Sequence, residues 1–256
     1  MPRLARSLGF LAALTAVYAS LGAGCSGGAA SPDVGVFEVR AESLVAADSA
    51  LRYRASVGYP QVVGEGPGIT AANRALADSA RAMVALYRPP GPLPAELLEL
   101  NPDFEAFVEG GFETDLVRDS LYSGLLAAYA FTGGAHGNQD FRPLNVDLRT
   151  GRTLTLPSFF RADAAWRDTL AANSTRRLVA SLGPDVLFDG AVPADDPAVF
   201  RVFTLAPDSL VLHFPPYAVA PYVAGPQRVA VAWSSLRPLL DPAGPARYFV
   251  TDRPSR

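Results

Sequence analysis

A single cysteine in 256 residues, Cys25, places the strongest constraint on how this chain can fold. It stands directly behind an almost unbroken apolar stretch, Leu8 to Leu21, which Arg3 and Arg6 precede. A basic start, a short apolar run and the small residues Gly22, Ala23 and Gly24 have the form of an export signal over residues 1–24, too short and wrongly flanked for a good spanning helix. With its one thiol at the new N-terminus, the exported chain has no disulfide and no cysteine metal site to draw on. Stability then has to come from the hydrophobic core. The 232 residues left after removal of 1–24, in a chain that is 49% apolar, are enough to build one.

The residues around Cys25 resemble a bacterial lipobox, with the departure that Gly22 stands where leucine is usual and Leu21 lies one place earlier. The expectation is lipidation of Cys25; the alternative is an ordinary small-residue cleavage site. "SGGAASPD" follows, and a Gly/Ser/Ala run of this kind is a flexible tether, here residues 25–33. The localisation expected is an exported lipoprotein, held by an acyl anchor in a lipid membrane and facing the periplasm or cell surface. All 22 basic residues are arginine; two lie in the signal, leaving 20 against 25 acids, a net charge of −5. Without a basic run to neutralise phosphates, nucleic acid is not expected as a partner.

Hydrophobic periodicity orders the rest. "VGVFEVRAE" and "LRYRASVGYPQVV" alternate as two strands. Ile69, Ala72, Leu76, Ala80, Met83 and Tyr87 recur at steps of three and four, the stripe of an amphipathic helix that Pro89 and Pro90 must stop. Residues 89–111 shift to a Pro-rich, acidic composition that reads as a short helix and loop; from Pro89 to Asp115 there are seven carboxylates and no base after Arg88. Such a patch could steer a cationic partner. "FETDLVRD", "LYSGLLAAYAF", "FRPLNVDL" and "LTLPSFF" read as further strands. A second amphipathic helix is expected over 163–182, with Trp166, Leu170, Leu178 and Leu182 on one face, and then a hairpin turned at "APD" and the strand "QRVAVAW". Hairpins with two helices between them predict an α+β fold with mostly antiparallel sheets, two main helices packed on one face and two closely packed subdomains.

The chemical motifs are few. Gly64, Gly66 and Gly68 in "VVGEGPGIT" imitate a phosphate-binding turn, but the third glycine of that fingerprint belongs at 69, which is isoleucine, and no P-loop lysine follows. There is no G-x-S-x-G elbow, no S-x-x-K and no H-E-x-x-H. His136, Asp140 and His213 carry donor types suited to a metal, and His136 oriented by Asp140 would suit a general base, although two histidines on separate hairpins are more often structural. The loop "FTGGAHGN" has a reading that needs no chemistry: Gly133, Gly134 and Gly137 let a strand end turn sharply, and His136 locks the turn through a neighbouring carbonyl or carboxylate. No cofactor is expected.

Together, "YAFTGGAHGN", "NVDLRTGRTLTLPSFF" and "FTLAPDSLVLHFPPYAVAPYVAG" with "SSLRPLL" resemble the extracellular module shared by the anti-sigma factor RsiV and the N-terminal region of the peptidoglycan deacetylase PdaC. "YRASVGYPQV" and "ITAANRAL" resemble that module's first half, so the likeness spans about 53–240. It implies an exported, non-catalytic two-part module, with subdomains expected at 34–115, carrying 89–111 as an insertion, and 116–242, before a tail at 243–256. In RsiV the module binds lysozyme. This chain has neither a sigma-binding segment nor a deacetylase domain, so those two activities do not transfer. The matching positions are Thr132, Gly133, Gly134, His136 and Gly137 in the loop, and Tyr217, Pro221, Tyr222 and Gly225 in the later segment. The resemblance makes these nine the candidate ligand-binding residues. The function expected is binding of a lysozyme-like protein or peptidoglycan; the alternative is a wall-modifying hydrolase using His136 with nearby carboxylates.

Overall fold

The computed structural model describes residues 37–118 and 120–250. The signal at 1–24, Cys25, the tether to residue 33 and the last residues of the tail lie outside the described residues. Among the described residues no helix is long and apolar enough to cross a membrane.

The fold is α+β, as the patterning predicts. Six strands, β1 (Glu38–Asp48), β2 (Tyr53–Val63), β3 (Ala106–Arg118), β4 (Leu121–Phe131), β5 (Asn138–Asp147) and β6 (Arg152–Thr153), lie side by side in chain order. All neighbours are antiparallel except β2 and β3, which run parallel over Tyr53–Val57. A parallel pair needs a crossover. Here α1 (Ile69–Leu86) and α2 (Ala95–Leu100) supply it. α1 buries Ala72, Leu76, Ala80, Met83 and Val84 against the sheet, the stripe expected from its sequence, and truncating Leu76 to alanine would cost about 2–5 kcal/mol. A second sheet holds β7 (Phe203–Leu205), β8 (Ser209–Phe214) and β9 (Gln227–Ala232), all antiparallel, with α3 (Trp166–Leu182) packed beside it. Each sheet has its own apolar core, one around Tyr53, Leu76, Met83 and Leu126, the other around Phe159, Leu170, Phe200 and Phe214.

Two segments depart from expectation. Ala106–Gly111, assigned above to the acidic connection 89–111, forms the first half of β3. Ala106 and Val108 are fully buried while Glu105 and Glu109 reach Arg54, so the carboxylates on this stretch belong to the exposed side of a strand. "LTLPSFF" is not a strand: Pro157 opens a 3₁₀ turn over Leu156–Phe159 that buries Leu156 and Phe159. Its ring removes a ladder donor and suits the first turn of a helix.

The two sheets are joined by a buried polar clasp. Leu205 N–H of β7 donates to Ser123 Oγ at 2.7 Å, Ser123 donates to Asn145 Oδ1 at 2.6 Å, and Asn145 Nδ2 donates to the Phe203 carbonyl at 2.8 Å. Side chains of the large sheet thus satisfy the backbone of the small one where water is excluded. At the outer edge of β5 the backbone is closed differently. Leu154 N–H takes the Asn145 carbonyl, Phe141 N–H is taken by Asp140 Oδ1, and Pro143 has no N–H to offer.

Candidate functional site

The fold carries the glycine loop after β4 to the segment after β8, about eighty residues later. β4 ends at Phe131 and β5 starts at Asn138, so the intervening loop must reverse within six residues. Gly133 (φ +110°) and Gly134 (φ +105°) take backbone conformations that side chains resist. Leu97 of α2 and Phe104 pack beneath Gly133, so the acidic connection props the loop from below. Gly137 is demanded by space: a Cβ there would stand 2.4 Å from the Tyr129 ring and 2.6 Å from the Ala130 carbonyl. Its N–H donates to the Tyr129 hydroxyl at 3.0 Å.

The later segment is held by a tight turn in which Ala218 N–H bonds the Pro215 carbonyl at 3.0 Å. Pro216 fits the first central position of a type II turn, and the second requires positive φ, usually met by glycine. Tyr217 occupies it at φ +68°. A large side chain held in this region costs about 1–3 kcal/mol, and such strain gathers at functional positions.

Where the segments meet, three rings assemble. His136 stacks on Tyr222 with centroids 4.1 Å apart, and Tyr217 lies 5.4 Å from Tyr222 and 6.3 Å from His136. His136 Nδ1 donates to the Gly137 carbonyl at 2.8 Å, which also accepts from the Tyr222 hydroxyl at 3.0 Å. Its Nε2 faces the Tyr217 hydroxyl at 3.4 Å. The carbonyl lock anticipated for His136 is present. The assembly stays open to solvent: Tyr217 is 53% exposed, Tyr129 41% and Val223 93%. Phe188, also exposed, is tied nearby through its N–H to the Val219 carbonyl.

Of the residues singled out in sequence, the loop glycines, His136, Tyr217 and Tyr222 come together; Gly225, at φ +67°, ends the short turn Tyr222–Ala224 that Pro221 begins. Thr132 and Pro221 are exposed on the two segments. Tyr129 escaped the sequence reading because it sits in an otherwise buried strand run; only its alternation with Ala128 and Ala130 hinted that it points outward.

The other candidates are dispersed. Asp140 is engaged by Phe141 N–H and by Tyr87, whose hydroxyl burial and the neighbouring Asp140 push up to about 12. His213 is 9% exposed, bonded through Nε2 to Thr204 Oγ1 at 2.8 Å, and set edge-on to Phe141. Burial pushes its imidazole down to about 4, with Asp115 opposing and Arg228 adding to the shift. Among the described residues no three His, Cys, Asp or Glu side chains are grouped to hold a metal. Gly68 has a packing role: a Cβ there would lie 2.5 Å from Gly151 N and from the Leu148 carbonyl, so the 148–151 turn caps the start of α1, where a phosphate would need to approach.

Residues 158–234 match a family described as a protein of unknown function, DUF3298. The matched stretch contains α3, the small sheet and the Tyr217–Gly225 segment and stops short of the glycine loop. The chain is similar in fold to a crystal structure of a DUF3298 member from Bacteroides fragilis (16% identity, TM-score 0.58, covering 82% of this chain and 96% of that one). It is likewise similar to a DUF3298 family protein from Pseudomonas aeruginosa (18% identity, TM-score 0.55, covering 86% and 99%). The curated proteins contain no match.

Proposed function

We propose that this chain is a lipid-anchored envelope protein whose folded part is a non-catalytic binding module of the RsiV and PdaC type, taking a lysozyme-like protein or a cell-wall component at the Tyr129–His136–Tyr217–Tyr222 rim. The observation that carries this reading is Tyr217, a half-exposed aromatic ring held at a strained backbone position that glycine would fill more easily. Such strain is retained where a side chain is needed for something besides folding. Rigid, amphipathic tyrosines give large contact area at low ordering cost, and Pro215, Pro216, Pro221 and Pro226 stiffen the segment that presents them. The His136 imidazole fits the same reading, since its Nδ1 holds the loop through the Gly137 carbonyl while its Nε2 faces the Tyr217 hydroxyl at the open surface.

The test is a titration of the full-length chain, in a zwitterionic detergent, against lysozyme and purified peptidoglycan, with product analysis of the wall. Saturable binding to either with the wall intact supports the module. Release of wall fragments by the wild type and not by His136→Ala would replace it with the hydrolase reading.

A further inference from the structure

We propose that the rim binds neutral pyranose rings of a glycan strand, with Tyr217 as the stacking platform; this rests on the module reading above and names its ligand class. The first ground is charge. In a chain with 18% charged residues, the two segments that build the rim, 129–139 and 214–227, contain no Arg, Asp or Glu. The carboxylate that faces Tyr129 in the β3–β4 register, Glu109, is already paired with Arg54. A surface that selected an anionic or cationic partner would place countercharge at its centre, because complementarity of that kind steers encounter and fixes register. This one offers none.

The second ground is the combination of groups that are free. Tyr217 and Tyr129 show open ring area to solvent. The C–H face of a pyranose is apolar and close in size to a six-membered ring, so it covers an aromatic face while its equatorial hydroxyls point outward. Gln139 stands opposite Tyr129 in the β4–β5 ladder, and among the described residues neither its side chain nor those of Thr132 and Asn138, at the two ends of the glycine loop, make a hydrogen bond. Hydroxyl and amide side chains both donate and accept, as sugar hydroxyls do. The third ground is preorganisation: the strained turn at Tyr217, the prolines around it and the Gly137 carbonyl shared by His136 and Tyr222 have already met the ordering cost that a weak, neutral ligand could not offset.

The experiment titrates the full-length chain, in a non-glycosidic detergent, with chitotetraose and cellotetraose, following tyrosine fluorescence and calorimetry. Lysozyme and intact peptidoglycan serve as parallel ligands. Saturable binding of at least one tetrasaccharide is expected, unchanged between low and high ionic strength. Tyr217→Ala should weaken it about tenfold, the effect of one lost ring contact, Tyr217→Trp should retain it, and Val45→Ser on β1 should leave it unaltered. Binding of lysozyme or peptidoglycan with neither tetrasaccharide bound overturns the glycan inference and leaves the module standing. Failure of all four ligands overturns both. Tetrasaccharide binding that fades with salt, or that Tyr217→Ala leaves intact, also overturns the assignment.

Discussion

The clasp between the two sheets and the aromatic rim are built from the same kinds of group and end in opposite states. At the clasp Ser123 and Asn145 are buried with their hydrogen bonds made, and next to it in the small sheet Thr204 and His213 are buried and bonded to each other. At the rim, rings and amides lie open and one backbone position is strained. The difference separates stability from recognition: interior polar groups are costly unless satisfied, whereas a surface that must meet a ligand is kept unsatisfied and rigid.

Breaking the clasp should have the largest effect. Asn145→Ala leaves the Phe203 carbonyl without its donor and the Ser123 hydroxyl without its acceptor in a dry site, at a cost of about 2–4 kcal/mol. Chemical denaturation should show a lower midpoint, and rim binding in the folded fraction should be unchanged. Acid tests the same region. His213 is neutral when folded, with its imidazole near 4, below the ordinary value of about 6.5. Its contribution is therefore complete above pH 6.5 and is lost as pH falls towards 4, because only the unfolded chain takes up the proton in that window. The loss is on the order of 3 kcal/mol. Stability measured against pH should flatten across pH 4–6.5 in His213→Gln; an unchanged slope would remove His213 as the cause.

Effects at the rim should be smaller. Gly137→Ala forces a methyl into the Tyr129 ring and the Ala130 carbonyl, for about 1–3 kcal/mol, and should abolish ligand binding by displacing His136. The smallest change is the most discriminating. Tyr217→Gly removes the strain and the platform together, so thermal stability should hold or rise by up to about 1 kcal/mol while binding falls. A clear drop in stability would mean that Tyr217 serves the fold, and the contrast between the two regions would fail.

Much of this was legible in the chain. The hairpins β1–β2 and β7–β8, the α1 stripe and the α3 face follow from local period, and one turn or one strand pair decides each. The first half of β3 was hidden because "AFVEGG" is short, ends in two glycines and sits among carboxylates, and its partner, β2, lies about fifty residues earlier in a parallel pairing that no turn signal announces. The 3₁₀ turn at Pro157 was hidden by apolar composition that suits either state. The rim could be grouped from sequence only through resemblance, since no local rule connects a loop at 131–138 with one at 217–225. Tyr129 was missed because its partner, Gly137 N–H, is supplied by the folded loop.

The closed margin of β5 bears on crowding. An exposed strand with free donors can template the same strand in another copy, and molecules concentrated on a surface meet often enough for that to matter. With Pro143 lacking a donor and Phe141 N–H satisfied by Asp140, β5 gives an incoming strand little to grip. On the opposite margin, β1 places Glu38, Arg40 and Glu42 along its first half. Such a sheet is protected at both ends from growing into an aggregate, so dense packing of many copies need not end in fibres.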